Sequence, residues 1–317
     1  MENIKKLRII LLSILVILII GVMVLYILAV SAYKGSFDRR IITAIHDRFH
    51  ISYFPNMINE RHTFQSNNGQ TLVGYLYRDR DETVSKKGVV VFSHGFGGGG
   101  QIGYMNIYDV LTKNGYYVFA YDATANDESE GEAVGGLPQG YIDLDYAISY
   151  AQTIEEIKSL PFVLMGYSWG GFSVTNVLNY HPEVKAVVSF SGFNKSMDLI
   201  EYEGQKKVGN IAKVLLPLAK IYEFFEYGKY AFSSSISGFK KSDCAVMIVH
   251  SEDDTIVPIE YGYDLYYKKY KNNERFVFKK YTDRGHAIFQ NQSHTLDAEL
   301  LNDVVTFFDK NVQLSAD

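Results

Sequence analysis

The apolar segment PFVLM at residues 161–165 runs directly into GYSWGG at residues 166–171. This pattern predicts a buried strand, a very tight turn and a helix. The turn forces Ser168 into a strained backbone conformation in which Oγ projects above the sheet. Glycine on both sides of the turn prevents neighbouring side chains from colliding there. The sequence therefore predicts a nucleophile elbow at Ser168.

A serine hydroxyl is a weak nucleophile alone, so it requires an acid, a histidine and oxyanion donors elsewhere in the chain. The strand-like segment 245–250 is followed by SEDDTIVP at residues 251–258. We predict Asp254 as the acid because TIVP follows it directly and the proline opens a helix at about 260–270. Asp253 is the alternative acid. The preceding strand-like segment, 186–191, ends without a carboxylate.

Two histidines follow Asp254 in the chain. His286 comes directly after the strand-like segment 275–281, whereas His294 precedes a predicted helix and is expected to be solvent-exposed. We therefore predict that His286 takes the Ser168 proton, while Asp254 fixes its tautomer and stabilises the imidazolium.

The oxyanion hole requires two backbone N–H groups. One is predicted from Trp169, directly after Ser168, and the other from Phe96 in the loop HGFGGGG at residues 94–100. A glycine-rich loop can also hold phosphate, but the G-K-[ST] signature and the dinucleotide-binding pattern are absent from the sequence. His94 is predicted to support the loop structurally.

Strand-like and helix-like segments alternate along the remaining chain, as in a doubly wound sheet. We predict an α/β-hydrolase-type fold with a mostly parallel sheet of about eight strands, which opens with a hairpin across residues 67–69. Residues 194–242 are predicted to form a small cap over the Ser168 pocket, or alternatively a helix pair that covers the sheet edge. Its apolar positions recur at steps of three and four residues: Val208, Ile211, Leu215, Leu218, Tyr222 and Phe225. Pro217 is predicted to kink this helix.

With Ser168, Asp254 and His286 in that chain order, the sequence resembles α/β-hydrolase-fold enzymes. It is similar in particular to the serine-aminopeptidase-like and monoglyceride-lipase-like hydrolases, and to a further, membrane-anchored group of this fold. The resemblance covers about residues 61–311. These families usually carry D-x-R-G-x-G-x-S after the fourth strand, whereas this chain has DATANDESEG at residues 122–131. The substrate of any one family is therefore not implied.

The composition limits the classes of partner. Of the 317 residues, 47% are hydrophobic and 15% aromatic, which is ample for a buried core. The formal net charge of −5 and the pI near 5.9 argue against a nucleic-acid partner. The single cysteine, Cys244, is predicted to be a small buried hydrophobe.

An uncharged run of 22 residues at 9–30 is long enough to cross a bilayer core of roughly 30 Å. A cleaved signal peptide is the alternative, with Lys5, Lys6 and Arg8 before the run and a possible cleavage site near Ser31. We predict an uncleaved anchor because the run exceeds the usual signal-peptide length. A short basic N-terminus normally stays cytoplasmic, which predicts an extracytoplasmic catalytic domain.

Three regions are predicted: an anchor at residues 1–35, a short helical linker at 36–60, and the hydrolase domain at 61–317. The linker contains HDRFH at residues 46–50. This resembles the H-E-x-x-H zinc motif, but aspartate replaces the glutamate and no third ligand is evident. We therefore interpret His46 and His50 as solvated histidines.

The sequence predicts a membrane-anchored serine hydrolase that cleaves carboxylic or thio esters with an apolar acyl group. Its substrate is predicted to be a small-molecule or lipid-like ester, and neither a metal nor a cofactor is predicted. One alternative is a peptidase, in which Glu201 and Glu203 of the cap bind a free α-amine. The other is a hydrolase-fold binding protein without catalysis.

Overall fold

The computed structural model describes residues 1–97 and 99–313. Its centre is one eight-stranded sheet with the strand order β1-β2-β4-β3-β5-β6-β7-β8. The strands are β1 (Met57–Gln65), β2 (Thr71–Asp79), β3 (Gly88–Ser93), β4 (Tyr116–Tyr121), β5 (Phe162–Tyr167), β6 (Ala186–Phe190), β7 (Ala245–Ser251) and β8 (Phe276–Tyr281).

The sheet is antiparallel only at its first edge. β1 pairs with β2 across the predicted hairpin, and β2 pairs antiparallel with β4. All neighbours from β4 through β8 are parallel. The predicted fold class is confirmed: a mostly parallel sheet of eight strands with flanking helices. The first strand begins at Met57 rather than near residue 62, because its pairing with β2 extends to the partner of Asp79.

Nine α-helices accompany the sheet in the described part of the chain. They are α1 (Glu2–Phe37), α2 (Met105–Lys113), α3 (Pro138–Ala151), α4 (Trp169–Asn176), α5 (Ser196–Val208), α6 (Ile211–Tyr227), α7 (Ser235–Lys241), α8 (Tyr263–Tyr270) and α9 (Ala298–Gln313). The helix after Pro258 starts later than predicted, since a 3₁₀ turn at Ile259–Tyr261 comes first.

The core lies on both faces of the sheet because successive strand side chains point to opposite faces. In β3, Val89 and Val91 join one buried cluster. Val90 and Phe92 join the other. The near-continuous apolar strands follow from this two-sided burial.

Helices α5, α6 and α7 form the insertion between β6 and β7, which we call the cap. The predicted single apolar stripe is partly wrong, because α5 ends at Val208 and Gly209 takes a positive φ of 60° that breaks the helix. Val208 is exposed at the end of α5, and Ile211 starts a separate helix. α6 continues through Pro217.

The first helix, α1, is 36 residues long and carries the apolar run on its exposed surface. It is the one helix in the described residues that is long and apolar enough to cross a membrane. Its C-terminal turns pack against α6, where the Tyr33 ring lies 5.2 Å from the Tyr222 ring between centroids. The Tyr33 hydroxyl donates to Glu223 Oε1 at 2.6 Å, and Ser196 Oγ donates to Oε2 at 2.8 Å. Burial raises the pKa of Glu223 to about 7.

Residues 38–56 are not a helical linker. Their only helical parts are 3₁₀ turns at Ile45–Asp47 and Ile51–Tyr53. His46 and His50 therefore do not share a helix face, and both are exposed. The segment is instead attached to the domain, since Ile41 N–H donates to Ala125 O at 2.8 Å.

Candidate active site

Ser168 lies between the end of β5 and the start of α4, with φ +56° and ψ −112°. The flanking glycines are required by close backbone contacts. A Cβ on Gly166 would lie 2.3 Å from Gly170 O, and a Cβ on Gly170 would lie 1.8 Å from Ser93 O. The Ser168 N–H donates to Phe190 O at 2.7 Å, which fixes the turn on the neighbouring strand. This is the strained turn that the sequence pattern indicates.

His286 reaches Ser168 from the loop after β8. Its Nε2 lies 2.8 Å from Ser168 Oγ. The loop is fixed by Ser191 Oγ, which donates to the His286 carbonyl at 2.9 Å. The Tyr167 ring lies 5.1 Å from the imidazole between ring centroids. His294 is exposed, in a turn where its N–H donates to Asn291 O.

Asp254, in the loop after β7, contacts the other nitrogen of the same imidazole. Its Oδ2 lies 2.7 Å from His286 Nδ1. Oδ1 accepts from Ile256 N–H and Val257 N–H, each at 2.9 Å. Burial favours the neutral acid, but hydrogen bonds from His250 and His286 outweigh it and hold the pKa of Asp254 well below its ordinary value. The carboxylate is therefore ionised at neutral pH.

Asp253, the alternative acid, takes part in different contacts. Its Oδ1 accepts from Ser251 Oγ at 2.5 Å and from Gly285 N–H at 2.9 Å. The hydrogen bond from Ser251 is the main reason why the pKa of Asp253 is lowered. Asp253 thus connects the loop after β7 to the loop that carries His286.

His250 is a contact of the acid that the sequence pattern did not reveal. This fully buried residue of β7 places Nε2 2.9 Å from Val257 O and 3.2 Å from Asp254 Oδ2. Nε2 must carry the proton, because Val257 O can only accept. Asp254 is therefore surrounded by four N–H donors. The position of His250 in the sequence of β7 does not predict this contact, because the contact depends on how the loop after β7 folds back onto the strand.

The two predicted oxyanion donors belong to residues whose side chains contact each other. Trp169 is the first residue of α4. The Phe96 ring packs on the Trp169 ring at 5.6 Å between centroids, and Phe37 of α1 packs on Phe96 at 5.6 Å. In the described part of the chain, the Phe96 N–H and the Trp169 N–H donate to no backbone carbonyl in a loop, turn or helix cap. Gly98 of the same loop lies outside the described residues.

His94 supports the glycine-rich loop. Its Nδ1 lies 2.8 Å from Gly95 O, and its Nε2 accepts from Ala123 N–H at 3.0 Å. Burial lowers its pKa, which keeps the ring neutral. His94 thus connects the loop after β3 to the loop after β4.

A second support of the loop comes from Thr43 and Asp127, which we call the loop clamp. Thr43 Oγ1 accepts from Gly100 N–H at 2.7 Å and donates to Asp127 Oδ2. Asp127 also accepts from Thr43 N–H at 2.8 Å and from Gly100 N–H at 3.0 Å. The segment at residues 38–56 and the 122–131 loop together hold the end of the loop that carries Phe96.

We expect Thr43→Val to lower kcat about tenfold with little change in KM. Valine keeps the buried volume but removes the hydroxyl, so the loop that carries the Phe96 N–H is less well held. Losing an oxyanion donor altogether costs about 10²- to 10³-fold. Steady-state kinetics on a short-chain ester checks this. Thr112→Val, at an equally buried threonine on α2, is the control. An unchanged kcat in Thr43→Val would contradict the role of the clamp.

The other groups named in the sequence analysis have the following partners. On α5, Glu203 pairs with Lys206 at 3.1 Å, and Glu201 accepts from Gln205 at 3.1 Å. Over residues 1–97 and 99–313, no cluster of three or more His, Cys, Asp or Glu side chains could hold a metal ion. Cys244 is buried, and burial raises the pKa of its thiol to about 11.

Known proteins resemble this arrangement in fold. The model of the serine aminopeptidase S33 family matches residues 84–224. No curated protein sequence matches the chain. An esterase of Pyrococcus furiosus superposes with a TM-score of 0.64 at 17% identity, over 86% of this chain and 99% of its own. Acetyl xylan esterase 1 from Thermoanaerobacterium sp. superposes with a TM-score of 0.57 at 14% identity, over 90% of this chain and 92% of its own.

An acylaminoacyl peptidase of Pyrococcus horikoshii is a third relative in structure, with a TM-score of 0.63 at 19% identity. The match covers 81% of this chain but 42% of the peptidase. At these identities the likeness concerns the fold alone, and it agrees with the resemblance inferred from the motifs. The chain is therefore an α/β-hydrolase-fold protein whose residues 84–224 match the serine aminopeptidase S33 family.

Proposed function

We propose that the protein is a membrane-anchored serine hydrolase that cleaves carboxylic or thio esters through a Ser168 acyl-enzyme. The observation that carries the proposal is the continuous hydrogen-bonded chain from Ser168 Oγ through His286 to Asp254. The family match and the fold support a hydrolase. Four N–H donors around Asp254 keep its carboxylate charged. A charged carboxylate beside His286 stabilises the imidazolium that forms when His286 accepts the Ser168 proton.

The mechanism follows from these contacts. Ser168 Oγ attacks the carbonyl carbon while His286 Nε2 takes its proton, and Asp254 stabilises the resulting imidazolium. The Phe96 and Trp169 N–H groups donate to the oxyanion of the tetrahedral intermediate. His286 then protonates the leaving alcohol or thiol. Water attacks the acyl-enzyme by the same route, releases the acid and restores Ser168.

An apolar acyl group is favoured by the surroundings of Ser168. Trp169 directly follows the nucleophile and belongs to the buried cluster that includes Phe37 and Tyr227. Phe96 packs against this cluster and on the Trp169 ring, and Met197 of the cap belongs to the same cluster. The cap and the end of α1 thus contribute apolar surface on this side of the sheet.

A series of acyl esters of increasing length, assayed beside aminoacyl amides, tests the substrate class. Each buried methylene is worth up to about 0.8 kcal/mol, so kcat/KM should rise by at most roughly fourfold per carbon until the pocket is full. A flat profile would contradict an apolar acyl site. Faster cleavage of aminoacyl amides would favour a peptidase, the second candidate, which the S33 family description supports.

We also propose that α1 anchors the protein in a membrane and that the catalytic domain lies outside the cytoplasm. The exposed apolar run of α1 supports an anchor. The short basic N-terminus supports the orientation. Protease accessibility of the catalytic domain in intact cells reports the side, and recovery of a mature N-terminus near Tyr33 would indicate a cleaved signal sequence instead.

A further inference from the structure

The cap helix α6 has apolar residues on two faces. One face is buried and includes Ala212 and Ala219, at 7% and 5% exposure. The other carries apolar side chains at alternating steps of three and four residues, which places them on one stripe. The stripe consists of Ile211, Val214, Leu218, Ile221 and Phe225. Ile211 is 62% exposed and Phe225 is 75% exposed, whereas Leu218 is half-buried, so most of this outer stripe is not covered by the protein.

More apolar surface continues the outer stripe at its C-terminal end. Phe224 contacts Phe225 at 5.3 Å and Phe232 at 5.4 Å between ring centroids, and Phe232 is itself 72% exposed. Contiguous exposed apolar surface of this kind marks an interaction site more often than scattered single residues do.

The position of α6 beside α1 indicates what covers the stripe. α6 packs on the C-terminal turns of α1, where Leu25 and Tyr26 are partly buried and Ala29 is fully buried. The uncharged run of α1 ends at Val30. At about 1.5 Å per residue, Leu25 lies roughly 7.5 Å inside that end. Interfacial helices insert to a similar depth, about 5–10 Å. The cap thus meets α1 at the level where a bilayer surface would lie.

The charges near the stripe fit the same surface. Lys207, Lys213 and Lys220 are exposed at the end of α5 and along α6. Of the two acids of α6, Glu226 is exposed and Glu223 is buried, so lysines outnumber exposed carboxylates. Lysines that flank an apolar helix face are typical of helices that lie in a membrane interface, where anionic headgroups attract them.

We propose that the outer stripe of α6 inserts into the surface of the same bilayer that α1 spans. The cap beside the candidate active site then faces lipid, and apolar esters dissolved in the bilayer are its nearest source of substrate. This proposal rests on the anchor proposed above, but it does not depend on the chemistry at Ser168.

Depth-dependent quenching in the full chain tests the insertion. A cysteine introduced by Phe225→Cys can be labelled with an environment-sensitive fluorophore, because the native Cys244 is buried. The protein is reconstituted into vesicles of phosphatidylcholine with one-fifth phosphatidylglycerol, with and without lipids that carry a nitroxide near the headgroup. We expect strong quenching at position 225. Leu265→Cys on α8, also exposed, is the control and should stay unquenched.

Leu18→Cys on α1 separates the anchor from the cap. Quenching at position 18 by lipids with a deeper nitroxide, together with no quenching at 225, would overturn the α6 proposal while the anchor stands. No quenching at either position would overturn the anchor, and the α6 proposal with it. A disulfide formed on mild oxidation between two unlabelled Phe225→Cys chains in the same vesicles, together with no quenching of the labelled protein at position 225, would show that a second copy covers the stripe, which also overturns the proposal.

Activity provides an independent readout. The double variant Ile221→Ser and Phe225→Ser changes only exposed positions of α6. Hydrolysis of a long-chain ester presented in vesicles should fall by about tenfold. Serine at these positions removes apolar side chains that would be buried in the bilayer, and losing the burial of even one of them weakens binding by about that factor. Hydrolysis of a soluble short-chain ester should stay unchanged. An equal fall on both substrates would indicate a stability effect and contradict the proposed role of the stripe.

Discussion

Ser168→Ala is expected to abolish covalent labelling by a fluorophosphonate and to reduce kcat/KM about 10⁴- to 10⁶-fold. Alanine removes the Oγ that lies 2.8 Å from His286 Nε2, so no nucleophile remains in line with the base. The remaining oxyanion donors can still assist water attack, which sets the residual rate. Hydrolysis of a short-chain ester and gel-based detection of the labelled protein measure both effects.

The fold should survive this change, because alanine and serine meet the same backbone strain at φ +56°. Thermal unfolding should therefore be nearly unaltered. Ser173→Ala is the matched control, since Ser173 is also buried on α4 but its hydroxyl donates to Trp169 O at 2.7 Å. Persistent labelling in Ser168→Ala, or its loss in Ser173→Ala, would show that the nucleophile lies elsewhere.

The candidate site could be predicted because its parts depend on local patterns. Ser168, Asp254 and His286 each follow a strand, and the strands β5, β7 and β8 are parallel. Carboxyl ends of parallel strands lie at the same edge of a sheet, so loops far apart in sequence converge there. Apolar strand segments and the tight Gly-x-Ser-x-Gly turn are recognisable without any knowledge of long-range contacts.

The loop clamp could not be predicted, because it depends on contacts between distant irregular segments. Thr43 and Asp127 are 84 residues apart, and neither lies on a strand or an α-helix. Asp127 has a φ of +34°, and nearby Ala125 has a φ of +59°. Intrinsic propensities do not predict a positive φ for alanine. The surrounding packing stabilises this conformation.

The apolar stripe of the cap shows a different limit. Spacing alone placed Val208 through Phe225 on one helix face, but Gly209 divides them between two helices. On α6, periodicity cannot distinguish the face that packs on α1 from the face that stays exposed. That distinction requires the position of α1, which the sequence of the cap does not contain.

Asp254→Asn is expected to lower kcat about 10²- to 10⁴-fold, whereas Asp253→Asn should change it only slightly. The carboxylate of Asp254 accepts from two backbone N–H groups through Oδ1 and contacts His250 and His286 through Oδ2. Asparagine has only one acceptor oxygen, so its NH₂ group must face N–H donors either at the Oδ1 position or at the Oδ2 position. The His286 imidazole can relieve the clash at the Oδ2 position only by moving its proton from Nδ1 to Nε2. His286 Nε2 can then no longer accept the Ser168 proton.

At position 253, an asparagine oxygen can still accept from Ser251 and Gly285, so the loop that carries His286 should keep its place. Measuring kcat and the rate of fluorophosphonate labelling for both variants compares the two acids directly. Thermal unfolding of both variants checks that the comparison concerns chemistry rather than folding. A larger loss in Asp253→Asn than in Asp254→Asn would contradict the assignment. It would mean that the carboxylate that orients His286 during turnover is Asp253, reached after a rearrangement of the β7 loop.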